Sequence, residues 1–110
     1  MYRVEFSEHA DQEMIDISSY IYDESSSADI AIRIVMDLTA RIKERLSRFP
    51  NSGLVEFITE TGVVYRQLVI ERYYVIYRIE ENEEETFVLI TNVIYDRRNK
   101  NNILTELDEK

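Results

Sequence analysis

The densest apolar patterning lies in the second half of the chain, in three runs covering residues 65–70, 73–79 and 87–95. Each is rich in Val, Ile, Tyr and Phe, and short polar breaks separate them, which predicts three consecutive antiparallel strands. The break Glu71-Arg72 is too short for a crossover and predicts a tight hairpin. The second break, residues 80–85, is acidic at every position but Asn82 and marks a solvated hairpin.

Upstream, Tyr2, Val4 and Phe6 alternate with Arg3 and Glu5, the two-residue period of a half-buried strand. Ser7 is placed to cap a helix, with Glu8 and Asp11 favouring its dipole. From Ala10 the apolar positions Met14, Ile17, Tyr20 and Ile21 recur at helical spacing, predicting an amphipathic helix that ends near Asp23. Residues 24–27 form a turn, and Ser26 with Asp29 resembles a capping box. A second helix follows, in which Ile34, Leu38, Ile42 and Leu46 step by four beside Ala31 and Val35. Phe49 closes that stripe, and Pro50-Asn51-Ser52-Gly53 stops the helix. So short a connection predicts an antiparallel helix hairpin packed on the sheet. Residues 54–61 have no clean period and read as loop, with Glu60-Thr61-Gly62 as a turn. After a polar break at 96–100, Ile103, Leu104 and Leu107 predict a short C-terminal helix. The expected fold is therefore α+β in the order β-α-α-β-β-β, with both helices on one face of a small antiparallel sheet. The N-terminal strand belongs at an edge, its neighbour left open.

Composition narrows the chemistry. The 110 residues make one domain, 1–110, long enough to bury a core without staples. The absence of cysteine excludes disulfides, thiolate metal sites and cysteine nucleophiles. Two glycines and one proline leave no Gly-rich phosphate loop, and a lone His9 leaves no multi-histidine metal centre. No cofactor or metal is expected. No apolar run approaches the roughly 20 residues of a membrane span, so a cytoplasmic protein without membrane contact is expected. The formal charge of −9 argues against a broadly basic nucleic-acid surface. Arg41, Lys43, Arg45 and Arg48 are the exception, either a solvated helix face or a surface for an acidic partner.

The pieces also carry a family likeness. An opening Tyr-x-Val-x-Phe-Ser strand comes first, and Phe49-Pro50-Asn51-Ser52-Gly53 ends the helix hairpin. Then come Tyr65-Arg66-x-Leu68, Tyr74-x-Ile76-Tyr77-Arg78-Ile79 and Val93-Ile94-Tyr95-x-Arg97-Arg98. In this order and spacing they resemble the RelE/ParE toxin superfamily of bacterial type II toxin–antitoxin systems, over nearly the whole chain. The Phe-Pro-x-x-Gly and Tyr-Arg-x-Leu elements look more like the ParE branch.

The resemblance implies a plasmid-stabilising growth inhibitor, neutralised by a cognate antitoxin that wraps it. ParE-like members poison DNA gyrase, whereas RelE-like members cleave mRNA on the ribosome without a metal. Cleavage needs a base near the 2′-hydroxyl, cations on the pentacoordinate phosphate and an acid for the leaving oxygen. Carried over by position, Arg66, Tyr95, Arg97 and Arg98 would fill those roles. Many members carry histidine at the slot of Tyr95, and tyrosine side chains, titrating near about 10, are poor bases. Glu56, Glu60 and Glu71 stand where the nuclease branch concentrates basic residues. Gyrase is therefore favoured as the target. An mRNA endonuclease is the alternative, and a non-toxic antitoxin-binding module is a third reading. The antitoxin is expected over a basic patch at Arg66, Arg97, Arg98 and Lys100.

Each candidate also has a plainer reading. Arg66 would be a surface strand residue paired with Glu71, and Arg97, Arg98 and Lys100 a solvated segment. Tyr73, Tyr74, Tyr77 and Tyr95 would be packing residues, with Tyr77 and Tyr95 flanking the open face. His9 would be an exposed bystander.

Overall fold

The computed structural model describes residues 1–95. The predicted C-terminal helix, and with it Arg97, Arg98 and Lys100, lies outside them. The elements are β1 (Arg3–Phe6), α1 (Glu8–Ser25), α2 (Ala28–Arg48), β2 (Leu54–Ile58), β3 (Val64–Ile70), β4 (Tyr73–Glu81) and β5 (Thr86–Ile94). They build one five-stranded sheet in the order β1-β5-β4-β3-β2. The helix hairpin covers one face, as the apolar stripes require.

Ser7 caps α1 by accepting from the Ala10 N–H at 3.0 Å. The turn between the helices differs by one residue from expectation. Ser26 ends α1 in the left-handed region, with φ 55, and Ser27 caps α2 by accepting from Ile30 N–H. A chain that reverses within two residues needs one left-handed position, so the cap moves to the next serine. Down α2, Leu38, Ile42 and Leu46 are buried, but Phe49 is 61% exposed and Ile34 lies at the rim. Phe49 has already left the helix as its C-cap, so the four-residue step no longer aims its ring at the sheet.

The sheet corrects two further expectations. β1 pairs with β5 and runs parallel to it, Phe6 opposite Ile90, so the sheet is mixed. Segment 54–58, read as loop, is the edge strand β2, antiparallel to β3. A bulge at Glu56 sets Val55 against Arg66 and Phe57 against Tyr65, which erases the alternation a strand normally shows. The hairpins fall as predicted. Ile70 faces Tyr73 across the Glu71-Arg72 turn, where Glu71 has φ 53, and Asn82 Oδ1 accepts from the N–H groups of Glu84 and Glu85 in the acidic turn.

Strand register sorts the two faces. Tyr73, Val75 and Tyr77 of β4 point under the helices, opposite Ile70, Leu68 and Arg66 of β3. In β5 a bulge at Thr91 shifts the phase, so Val88, Ile90 and Val93 all join the core. On the other face Tyr65, Ile76 and Ile94 are buried with Phe57 and Tyr74 beside them, and the Phe57 and Tyr65 rings stack at 5.1 Å.

One carboxylate ties helix to sheet. β1 stops at Phe6, opposite Ile90, so the later N–H groups on that side of β5 have no strand neighbour. Glu13 of α1 takes the place of one, its Oε1 accepting from Val93 N–H at 2.9 Å. Burial pushes the Glu13 carboxyl above its ordinary value. The Val93 and Asn92 hydrogen bonds and the neighbouring His9 oppose this, and Asp16 adds to it.

Two outcomes are expected. Leu38→Ala should cost roughly 2–5 kcal/mol in urea unfolding, because it opens a cavity where α2 meets the sheet. A raised folded-state value means that the stability contributed by Glu13 is full below its unfolded pKa and is lost as pH rises through the folded one. Glu13→Gln should therefore match the wild type in acid and gain relative to it as pH climbs out of the ordinary glutamate range, as read by melting at stepped pH.

Candidate functional site

Arg66 sits on β3 facing the helix side, directly opposite Tyr77 of β4. It does not pair with Glu71, whose carboxylate meets Arg41 at 2.9 Å. Its guanidinium instead donates to Gly53 O at 2.9 Å and reaches Asn51 O at 3.5 Å. Tyr77 works on the same loop. Far from flanking an open face, it is fully buried, and its hydroxyl donates to Pro50 O at 2.7 Å while accepting from Gly53 N–H at 2.9 Å. Burial raises the Tyr77 pKa, and the Gly53 hydrogen bond with the charges of Arg66 and Arg45 holds part of that rise back. Gly53 is obligatory here, since a Cβ would come within 2.6 Å of the Tyr77 hydroxyl and 2.8 Å of Gln67 O. The Phe-Pro-x-x-Gly segment is thus a loop held down by two side chains from the sheet.

Tyr95 lies elsewhere. It follows β5 and packs half-buried against the core, its ring 5.3 Å from both Tyr20 and Tyr73. Tyr73 and Tyr77 are four residues apart on one strand, so the sites of Tyr95 and Arg66 are separated by roughly 13 Å. Those two candidate residues are not brought together, and Arg97 and Arg98 lie outside the described residues. Tyr73 has its own pKa raised, chiefly by burial and then by Tyr95 and Glu71. His9 is mostly exposed, its Nε2 3.6 Å from Glu13 Oε1.

Beside Tyr95 the surface holds a groove of about 440 Å³ where α2 passes the β3–β4 hairpin. Leu38, Ile34, Ile70, Tyr73 and Tyr95 supply its apolar lining, and Arg33, Arg41 and Arg72 stand around it. Arg41 is held by Asp37 and Glu71, whereas Arg33 and Arg72 have no carboxylate partner among the described residues. Nothing in the periodicity of α2 distinguished Arg33, and nothing in the hairpin turn distinguished Arg72, from ordinary solvated positions. Their meeting depends on how the hairpin folds back on the helix. Among the described residues no group of three or more His, Asp or Glu side chains could hold a metal ion, and no helix is long and apolar enough to cross a membrane.

A helix hairpin on one face of a five-stranded mixed sheet defines a small α+β domain. The same fold occurs in a chain of the chromosomal ParDE TA system from P. aeruginosa, with a TM-score of 0.62 and 16% identity. That alignment covers 84% of this chain and 94% of the other. No curated protein matches the sequence. The family model for the ParE toxin of type II toxin–antitoxin system, parDE, matches residues 4–99, and the chain belongs to that family.

The pinned loop yields a stability test. Tyr77→Phe leaves the Pro50 carbonyl and the Gly53 N–H without their shared partner, and should cost about 1–3 kcal/mol by denaturant unfolding. A cost near zero would show that the hydroxyl is not what holds the loop.

Proposed function

We propose that this protein is the toxin half of a toxin–antitoxin pair, held inactive in the cytoplasm by a cognate antitoxin and acting, when released, on DNA gyrase. The observation that carries the reading is the ParE family match over residues 4–99. Geometry supports gyrase over RNA cleavage as the outcome. A nuclease must gather cations and a base around one phosphate. Here the Arg66 guanidinium is occupied by backbone carbonyls, and Tyr95 packs against two other tyrosines.

The groove between α2 and the β3–β4 hairpin is the antitoxin's seat in this reading. Its apolar lining and the two arginines that lack a carboxylate partner among the described residues favour an amphipathic segment with acidic residues along its edges, a helix laid in a groove. Rim charges act chiefly on association rate and its salt dependence.

Purified protein added to gyrase and relaxed plasmid should block supercoiling or trap cleaved DNA, and added to translating ribosomes should cut no mRNA. Specific mRNA cuts that disappear in Tyr95→Phe would overturn the ranking. Inactivity in both assays, with no growth arrest in cells, would favour a binding module that has lost toxicity. For the partner, the double variant Arg33→Glu, Arg72→Glu should slow association with the antitoxin encoded by the neighbouring reading frame and flatten its salt dependence. Unchanged association would place the antitoxin elsewhere.

A further inference from the structure

A second cleft, of about 590 Å³, opens where α2 ends, and the toxin reading makes no use of it. Arg45 and Arg48 form one wall, Phe49 and Tyr2 another, and the loop with Asn51 and Ser52 the floor. The Phe49 residue is 61% exposed and Tyr2 is partly exposed. Arg45 has no carboxylate partner among the described residues. Arg48 has only Glu44, in an exposed pair of the kind that contributes little. Between Arg41 and Arg48 there are four cations and one acid, Glu44, in a chain whose net charge is −9.

The cleft is built on a stiff frame. Tyr77 and Arg66 hold the floor from beneath, and Gly53 lets the loop lie flat on the sheet. Tyr2 N–H donates to Ser47 O at 2.8 Å, which fixes the strand that carries the Tyr2 ring against the helix end. A helix C-terminus ordinarily repels anions through its free carbonyls. In this case the Arg45 and Ser47 carbonyls already accept from Phe49 N–H and Tyr2 N–H. Ser52 Oγ is buried without a hydrogen-bond partner on the same floor.

One arginine without a carboxylate partner among the described residues, a second held only by an exposed pair, and an uncovered aromatic ring on a rigid floor are the chemistry that takes a phosphodiester together with an unstacked base. We infer that this cleft binds a single-stranded nucleic-acid segment, with Arg45 and Arg48 on the phosphate and Phe49, backed by Tyr2, against the base. An acidic peptide would use the cations but gain nothing specific from two open ring faces. The local charge makes the contact strongly salt-dependent, and the acidic remainder of the surface confines it to this end of the molecule. The inference goes beyond the antitoxin and gyrase reading and stands or falls separately from it.

The test is fluorescence anisotropy of a labelled oligothymidylate with the full-length protein across a salt series. Arg45→Ala, Arg48→Ala and Phe49→Ala are compared with Arg3→Ala on the opposite face of the sheet, and melting curves check that each variant folds. Binding should appear at low salt, and each arginine variant should lower the slope of log affinity against log salt by about 0.7, the value per phosphate contact on a single strand. Phe49→Ala should weaken binding about fivefold or more, the loss expected from one stacked base. Arg3→Ala should change nothing. Absence of binding at low salt would overturn the assignment, as would equal binding by all variants. So would an acidic peptide that displaces the oligonucleotide and binds more tightly through the same arginines.

Discussion

The buried hydroxyl of Tyr77 is the contact on which the arrangement of helices and sheet depends. It sits in the middle of the central strand with its ring under the helix hairpin, and one oxygen answers both the Pro50 carbonyl and the Gly53 N–H. These two groups belong to the segment that takes the chain from the end of α2 to the start of β2. Backbone polar groups buried beneath a helix end need partners, and here a side chain from the sheet supplies them. The same contact decides why glycine stands at 53 and why Arg66, across the strand pair, spends its guanidinium on the loop. Helix end, loop and sheet are thereby set in one position.

That fixed position shapes what the surface can do. With the end of α2 held over β3 and β4, the helix flank and the Glu71-Arg72 hairpin enclose an apolar groove bordered by arginines. The helix end itself presents two more arginines beside open aromatic rings. The groove also carries Asp37, Glu71, Tyr73 and Tyr95 beside its arginines. The protein is small and acidic, and it belongs to the ParE toxin family.

On the other side of the domain, Glu13 performs a related task. It replaces a missing strand neighbour for Val93 where the short β1 has run out, and joins α1 to β5. A carboxylate in that position is partly desolvated, so the link is sensitive to its protonation in a way that the apolar contacts of α1 are not. The parallel pairing of β1 with β5 creates this need, because a four-residue strand cannot cover a nine-residue one.

Local pattern carried much of this fold. The period of four in α2, the serine cap of α1, the tight Glu71-Arg72 turn and the β-rich runs after residue 64 are short-range signals, and the chain obeys them. The order of motifs carried the family as well. Local pattern could not carry β2, because the bulge at Glu56 breaks its alternation and an edge strand leaves apolar residues exposed. It could not choose β5 as the neighbour of β1, or place Tyr77 beneath the helices instead of on an open face. Nor could it show that Arg66 and Tyr95 stand well apart, since that depends on strand register and on which tyrosine each one neighbours. A sequence determines the spacing of side chains along a helix or strand. Which of them meet across elements is decided only when the helix hairpin closes on the sheet, since the contacts that place them join residues distant in the chain.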